Sequence, residues 1–267
     1  MRFLVPHFLT AILSSTAHSA PWQDAIIHGD PAASGSFVAR SAVLIVPAGP
    51  DGNHCSGVLV APDLVATAAH CVVKGETNSV LAPTQLAVDF TLYYDGSTAI
   101  EREPIRRISG IRKHPGYDND EADSAGNPHD IALLRLADPA PAPYVPATLL
   151  PSAPGLTLGA TVLVGGYGDT CDVCDDEDFR LRTFEFRVAG FRRPTSLVAL
   201  AGKSKGGVAN GDSGGPAFAM IGGKAYLWGV LSSARHTGSP AFYENLLEYR
   251  ALLEQWAREL GSSLRWP

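Results

Sequence analysis

Seven short runs rich in apolar and β-branched residues recur along the chain, each closed off by turn-forming residues. They are SAVLIV (41–46), GVLVA (57–61), LVATAA (64–69), DIALLRL (130–136), ATVLVGGY (160–167), FEFRVAGF (184–191) and AYLWGVLSS (225–233). Runs this short at such intervals are the pattern of an all-β barrel or sandwich. The stretch PAPAPYVPATLLPSAPG (139–155) holds six prolines and divides the runs into two roughly equal sets, as an inter-domain connector does. At 267 residues there is length for one large all-β domain or two smaller ones, and 27 glycines and 20 prolines supply the turns. Only the C-terminus departs from this pattern. In ENLLEYRALLEQWAREL, Leu246, Tyr249, Leu253, Trp256 and Leu260 recur at helical spacing with charges opposite, which predicts one amphipathic helix packed on the body.

The chain opens MRFLVPHFLTAILSSTAHSA, an arginine before an apolar run that ends in small residues. This reads as a secretory signal peptide over 1–19, with Ala17 or Ser19 as cleavage positions. Pro6 and His7 interrupt the run, and a buried N-terminal helix is the competing reading. No later stretch approaches eighteen apolar residues, so no membrane span is expected. The net charge is −6 and no basic cluster is longer than Arg192-Arg193, which disfavours a nucleic-acid partner.

Four cysteines in an exported chain imply disulfides. Cys55 and Cys71 enclose SGVLVAPDLVATAAH, a strand, a Pro62-Asp63 turn and a second strand, so pairing them closes a hairpin. Cys171 and Cys174 form a C-x-x-C. A redox motif would want a βαβ setting and zinc would need two further ligands, so a local loop disulfide is the expected state. The acidic run from Asp172 to Asp178 offers carboxylates to Ca²⁺ but reads first as a solvated loop. Neither a metal nor a cofactor is expected.

Within VANGDSGGPAF (208–218), Ser213 stands between an aspartate and two glycines. A serine hydroxyl alone is a poor nucleophile and needs a base, itself oriented by an acid. VATAAHC supplies His70 at the end of one strand and PHDIALLRL supplies Asp130 at the start of another. Hydroxyl, imidazole and carboxylate in the order His, Asp, Ser form one of the few arrangements of the acyl-transfer triad. His129 is a rival base, although neighbouring strand residues face opposite ways. HPGYD (114–118) reads as a structural loop, and His28, His54 and His236 as surface groups.

TAAHC, HDIALLRL, GYG (166–168) and GDSGGP, in this order, give the chain a resemblance to the secreted serine proteases of the chymotrypsin/trypsin family. The likeness runs from IIHGDPA (26–32) to the terminal helix. It implies an all-β fold of two antiparallel six-stranded β-barrels with the active site between them and a C-terminal α-helix. Barrel one is expected over about 26–138, barrel two over about 156–242, and the helix over about 243–260, within a protease domain at 26–267. The family is also the one on which the triad mechanism was worked out. Ser213 is then the nucleophile, His70 the general base and acid, Asp130 the orienting carboxylate, and the Gly211 and Ser213 N–H groups the oxyanion hole.

The resemblance further places Gly207 at the floor of the primary specificity pocket, beside Val208 and Asn210, with walls from Ser232, Ser233, Ala234 and Ala241. Trypsin-like relatives carry an aspartate where Gly207 stands. Neither 186–211 nor 214–243 contains any Asp or Glu, so a buried substrate cation would find no partner. Ala234 and Ala241 stand where wide-pocket relatives have glycine, which points to cleavage after small or medium uncharged residues. Lys205 or Arg235 is the route to an acidic preference instead. Ala209 and Leu200 occupy positions where the family often has a disulfide beside the pocket. In QDAIIHGD the resemblance implies a short propeptide (20–25) and a cut between Ala25 and Ile26, after which the new ammonium group pairs with Asp212. The expected protein is a secreted (extracellular or periplasmic) monomer. Its partners are protein or peptide substrates and protein protease inhibitors. A catalytically silent binding protein is the rival; such proteins typically lose a triad residue, and this chain keeps all three. An esterase would instead show G-x-S-x-G.

Overall fold

The computed structural model describes residues 26, 29–49, 53–90, 105–119, 128–152, 156–169, 179–192, 195–202, 206–234 and 240–267. The segment 1–25, Ile27, His28, Cys171, Cys174, the acidic run 172–178, Lys205, Arg235 and His236 lie outside them.

A two-residue strand, β1 (Asp30–Pro31), comes first. The first half then supplies β2 (Ala42–Pro47), β3 (Cys55–Ala61), β4 (Leu64–Thr67), the short pair β5 (Val73–Lys74) and β6 (Ser79–Val80), β7 (Leu86–Asp89), β8 (Arg106–Lys113) and β9 (Ala132–Leu136). Six of these close into an antiparallel barrel in the order β2-β3-β4-β9-β8-β7. The second half supplies β10 (Thr161–Gly166), β11 (Arg182–Phe191), β12 (Leu197–Gly202), β13 (Pro216–Ile221), β14 (Lys224–Ala234) and β15 (Ala241–Asn245). They run β11-β10-β13-β14-β15-β12, and a β11–β12 pairing closes this second barrel, with β1 added outside β11. The chain thus touches barrel two, Asp30 opposite Thr183 and Pro31 opposite Arg182, before it builds barrel one.

The strands read as continuous apolar runs because both of their faces are buried. Val43 and Ile45 of β2, Val65 of β4, and Ala132, Leu134 and Leu136 of β9 fill the barrel-one interior. Their alternates, Ala42, Leu44, Leu64, Ala66 and Leu133, join Phe218, Leu227 and Val230 of barrel two in a second cluster. Side chains alternate along a strand, so a period of two here feeds two cores. Each fully buried aliphatic side chain contributes about 1.5–3 kcal/mol. A third cluster, with Val162, Val164, Phe186, Trp228 and Tyr243, fills barrel two.

The terminal helix begins later than the periodicity predicts. Ala241–Asn245 pair with both β12 and β14, which commits them to strand. Asn245 then caps a 3₁₀ turn (Leu246–Tyr249) that leads into α1 (Arg250–Glu259). Leu253, Trp256 and Ala257 bury the apolar stripe against the inter-barrel cluster. Among the described residues no helix is long and apolar enough to cross a membrane.

Candidate active site

His70 follows β4 in a one-turn 3₁₀ helix (His70–Val72), and Asp130 precedes β9, the strand paired with β4. That pairing aligns the two segments. The Asp130 carboxylate is buried and accepts at both oxygens: Oδ1 from the His70 backbone N–H at 2.9 Å, Oδ2 from the Ser232 hydroxyl at 2.8 Å. His70 Nδ1 also lies 2.8 Å from Oδ2. A carboxylate only accepts, so Nδ1 carries the proton and Nε2 is left as the acceptor. Burial alone would lower the His70 pKa, but the charge and hydrogen bond of Asp130 more than reverse this, leaving it above the usual 6.5. The disulfide Cys55–Cys71 forms as expected and pins the residue after His70 to the start of β3. His70, Cys55 and Cys71 lie close enough to bracket a metal ion, but both sulfurs are in the disulfide and offer no thiolate.

Ser213 comes from barrel two, in the turn before β13, and is half-buried. Ser56 of β3 holds this turn against barrel one. Its N–H donates to Ser213 O at 2.8 Å, its hydroxyl donates to Gly211 O at 2.8 Å and accepts from Tyr167 N–H at 2.9 Å. Gly211 has φ +90°, which favours glycine, and a Cβ there would collide with the His54 ring. Among the described residues neither the Gly211 nor the Ser213 N–H donates to a backbone carbonyl. Both stay available as donors.

Gly207 and Val208 are buried, and Val208 shares a cluster with Ala234 and Ala241. Ala234 and Ala241 are paired across β14 and β15, so their methyls stand side by side. Ser233 is half-buried and Asn210 exposed. The Ser232 hydroxyl is committed to Asp130, which leaves the main chain of this residue to line a pocket. Asp212, one residue before Ser213, is buried, with Oδ1 accepting from Gly168 N–H and Oδ2 from Ala209 N–H, each at 2.8 Å. Ile26 is buried in the same barrel-two cluster as Val208.

Comparison with known proteins decides what kind of chain carries this site. The trypsin family model matches residues 14–253, most of the sequence. The chain belongs to the trypsin family of serine proteases. Among curated relatives of this trypsin-family chain, a trypsin of Simulium vittatum is 31% identical over 178 residues, covering 61% of the chain and 65% of the relative. Phenoloxidase-activating factor 3 of Holotrichia diomphalia is 31% identical over 229 residues, covering 76% and 64%. Kallikrein 1-related peptidase b8 of Mus musculus is 25% identical over 279 residues, covering 95% and 97%. The chain therefore spans under two thirds of the length of the first two.

Some residues of this trypsin-family site have no signature in the sequence. Ser56 follows Cys55 inside an apolar strand, and a polar residue there is the one signal it gives. His54 is half-buried rather than a free surface group. Its Nε2 lies 3.0 Å from Tyr167 O and its ring packs edge-on to Phe179 and over Gly211. His129, the rival base, stacks on His114 at 4.2 Å and bonds the Tyr249 hydroxyl. The HPGYD loop is structural as expected: Tyr117 is buried beside Ala69 and Val73, and Asp118 accepts from Asn78 at 2.7 Å.

Proposed function

We propose that the protein is a secreted serine endopeptidase in which Ser213, His70 and Asp130 act as a catalytic triad. The observation that carries this is the buried Asp130 carboxylate, held by Ser232 and the His70 main chain, fixing His70 with Nε2 as the free acceptor. Nε2 takes the Ser213 proton as the hydroxyl attacks the scissile carbonyl, and later returns it to the leaving amine; Asp130 stabilises the imidazolium between these steps. The Gly211 and Ser213 N–H groups receive the oxyanion. A cleft of about 650 Å³ lined by His70, Cys55, Cys71, Asn53 and Leu86 offers room for the leaving side of the substrate.

Gly207 at the pocket floor and the paired methyls of Ala234 and Ala241 favour small or medium uncharged residues at the cleaved bond. The chain is made inactive and switched on by a cut between Ala25 and Ile26, whose new ammonium pairs with Asp212. The N-terminal leader directs export. Retention of all three triad residues argues against a silent binding protein. Labelling of cut protein with a serine-directed phosphonylating reagent, followed by peptide mapping, is the test. Label on Ser213, lost together with peptide hydrolysis in Ser213→Ala, is the expected result. Near-normal turnover in the alanine variant refutes it.

A further inference from the structure

Behind Asp130 lies a second carboxylate that the triad does not account for. Glu244, on β15, is 0% exposed. Its Oε1 accepts the Asp130 backbone N–H at 2.8 Å. Its Oε2 accepts from the Ser196 hydroxyl and from the Tyr249 hydroxyl, the latter at 3.0 Å. Three donors converge on one buried carboxylate, an arrangement suited to the ionised form. The Tyr249 oxygen lies 3.1 Å from His129 Nδ1, and His129 stacks on His114. A cleft of about 430 Å³ lined by His129, Thr195, Ser196, Asn245, Glu248 and Tyr249 gives this network access to protons.

We infer that Glu244 is a positioning residue for the catalytic pair, holding the Asp130 main chain and adding a second negative charge that stabilises the His70 imidazolium. The inference rests on the proposed roles of His70 and Asp130. Anchoring Asp130 through its N–H fixes the peptide from which the carboxylate projects, while Ser232 and His70 fix the carboxylate itself. A buried charge acts on its neighbours across a low-dielectric medium and is weakly screened by salt.

The groups facing Glu244 are Asp130 from the segment before β9, Ser196 before β12, and Tyr249 in the 3₁₀ turn. Behind Tyr249 stand His129 and His114, with Lys113 acting on His114. Burial pushes the Glu244 carboxyl up to about 7; the hydrogen bonds from Ser196, Asp130 and Tyr249 hold it down, and the Asp130 charge adds to the rise. Its charge therefore changes across neutral pH.

The test is Glu244→Gln, which keeps an oxygen for the Asp130 N–H and removes the charge. Phosphonyl labelling of the cut parent at Ser213 is measured alongside. Without the second charge the imidazolium is less stable, so the acid limb of kcat/KM should fall by roughly half a pH unit or more. The same loss acts on the imidazolium of the transition state, so kcat should drop about threefold while KM holds. Tyr249→Phe removes one donor to Oε2, favours the protonated Glu244, and should move the limb the same way at neutral pH; it carries the test if Glu244→Gln does not fold. A labelled parent whose acid limb and kcat stay put in these variants overturns the role of Glu244 alone. A parent that neither labels nor hydrolyses peptides overturns both this and the triad reading.

Discussion

Asp212 should make the uncut chain lose stability as pH rises. Burial pushes its carboxyl from 3.8 to about 7; the Ala209 and Gly168 N–H groups hold it down, Asp169 adds to the rise and Arg182 opposes it. With the folded value raised, the folded chain keeps a proton that the unfolded chain has released. The stability is fully present below about pH 4 and is lost as pH rises through about 7. At about 1.4 kcal/mol per pH unit the whole effect is about 4 kcal/mol, of which about 2.6 kcal/mol falls between pH 5 and pH 8. The perturbation is Asp212→Asn in a Ser213→Ala background, which prevents self-digestion. Asparagine cannot ionise, and it leaves one of the two backbone donors poorly paired, a pH-independent cost of about 1–3 kcal/mol. Urea unfolding of uncut protein, followed by tryptophan fluorescence at pH 5 and pH 8, reads the difference between the two chains. The asparagine chain should gain about 2–3 kcal/mol on the aspartate chain over that interval. A gap constant to within about 0.5 kcal/mol refutes the reasoning, since Asp212 would then not be titrating. After the proposed cut the trend should reverse, because an ammonium partner favours the ionised carboxylate.

Further outcomes follow from the same geometry. Gly211→Ala should reduce kcat by about 10²–10³-fold, because its Cβ meets the His54 ring and displaces an oxyanion donor; a loss under tenfold in folded protein counts against that role. The acid limb of kcat/KM should lie above pH 6.5, since Asp130 raises the His70 pKa and only neutral His70 accepts a proton; a limb below 6.5 contradicts it. Replacing Cys55 and Cys71 together by alanine should lower stability by about 3 kcal/mol, the chain-entropy value for a separation of 16 residues, read as the unfolding free energy extrapolated to water from denaturant titrations. Ser232→Ala removes a buried hydroxyl donor to a carboxylate and should destabilise by about 1.5–3 kcal/mol; an unchanged melt would show that water replaces it.

The all-β class, the two halves and the segments that carry the proposed triad were legible because their signals are local. Strands such as SAVLIV and DIALLRL announce themselves by burying both faces. By contrast β8, RRISGIRK, carries four basic residues and is only partly buried, so it offers no apolar run. The stretch PAFAMI hides behind GDSGGP, and AFYEN looks like the start of the helix until its pairing with two strands is seen. His70, Asp130 and Ser213 each sit in a motif of five to eight residues. Ser56 and Glu244 act on partners 155 and 114 positions away, and only the closure of the barrels brings them together.

The early crossing of the chain onto barrel two has a kinetic consequence. Asp30 is clamped to Thr183 in β1, and Arg182 beside it is near enough for its charge to act on Asp212. Asp30 lies four positions after Ile26, a tether that reaches at most about 14 Å. The amine released by the proposed cut would therefore search a small volume around its own binding site, at an effective concentration on the order of millimolar or above. Its capture would be unimolecular, independent of protein concentration and faster than encounter with a foreign amine. Lengthening the tether with glycines would dilute the amine, so the segment between the proposed cut and β1 would serve as a ruler.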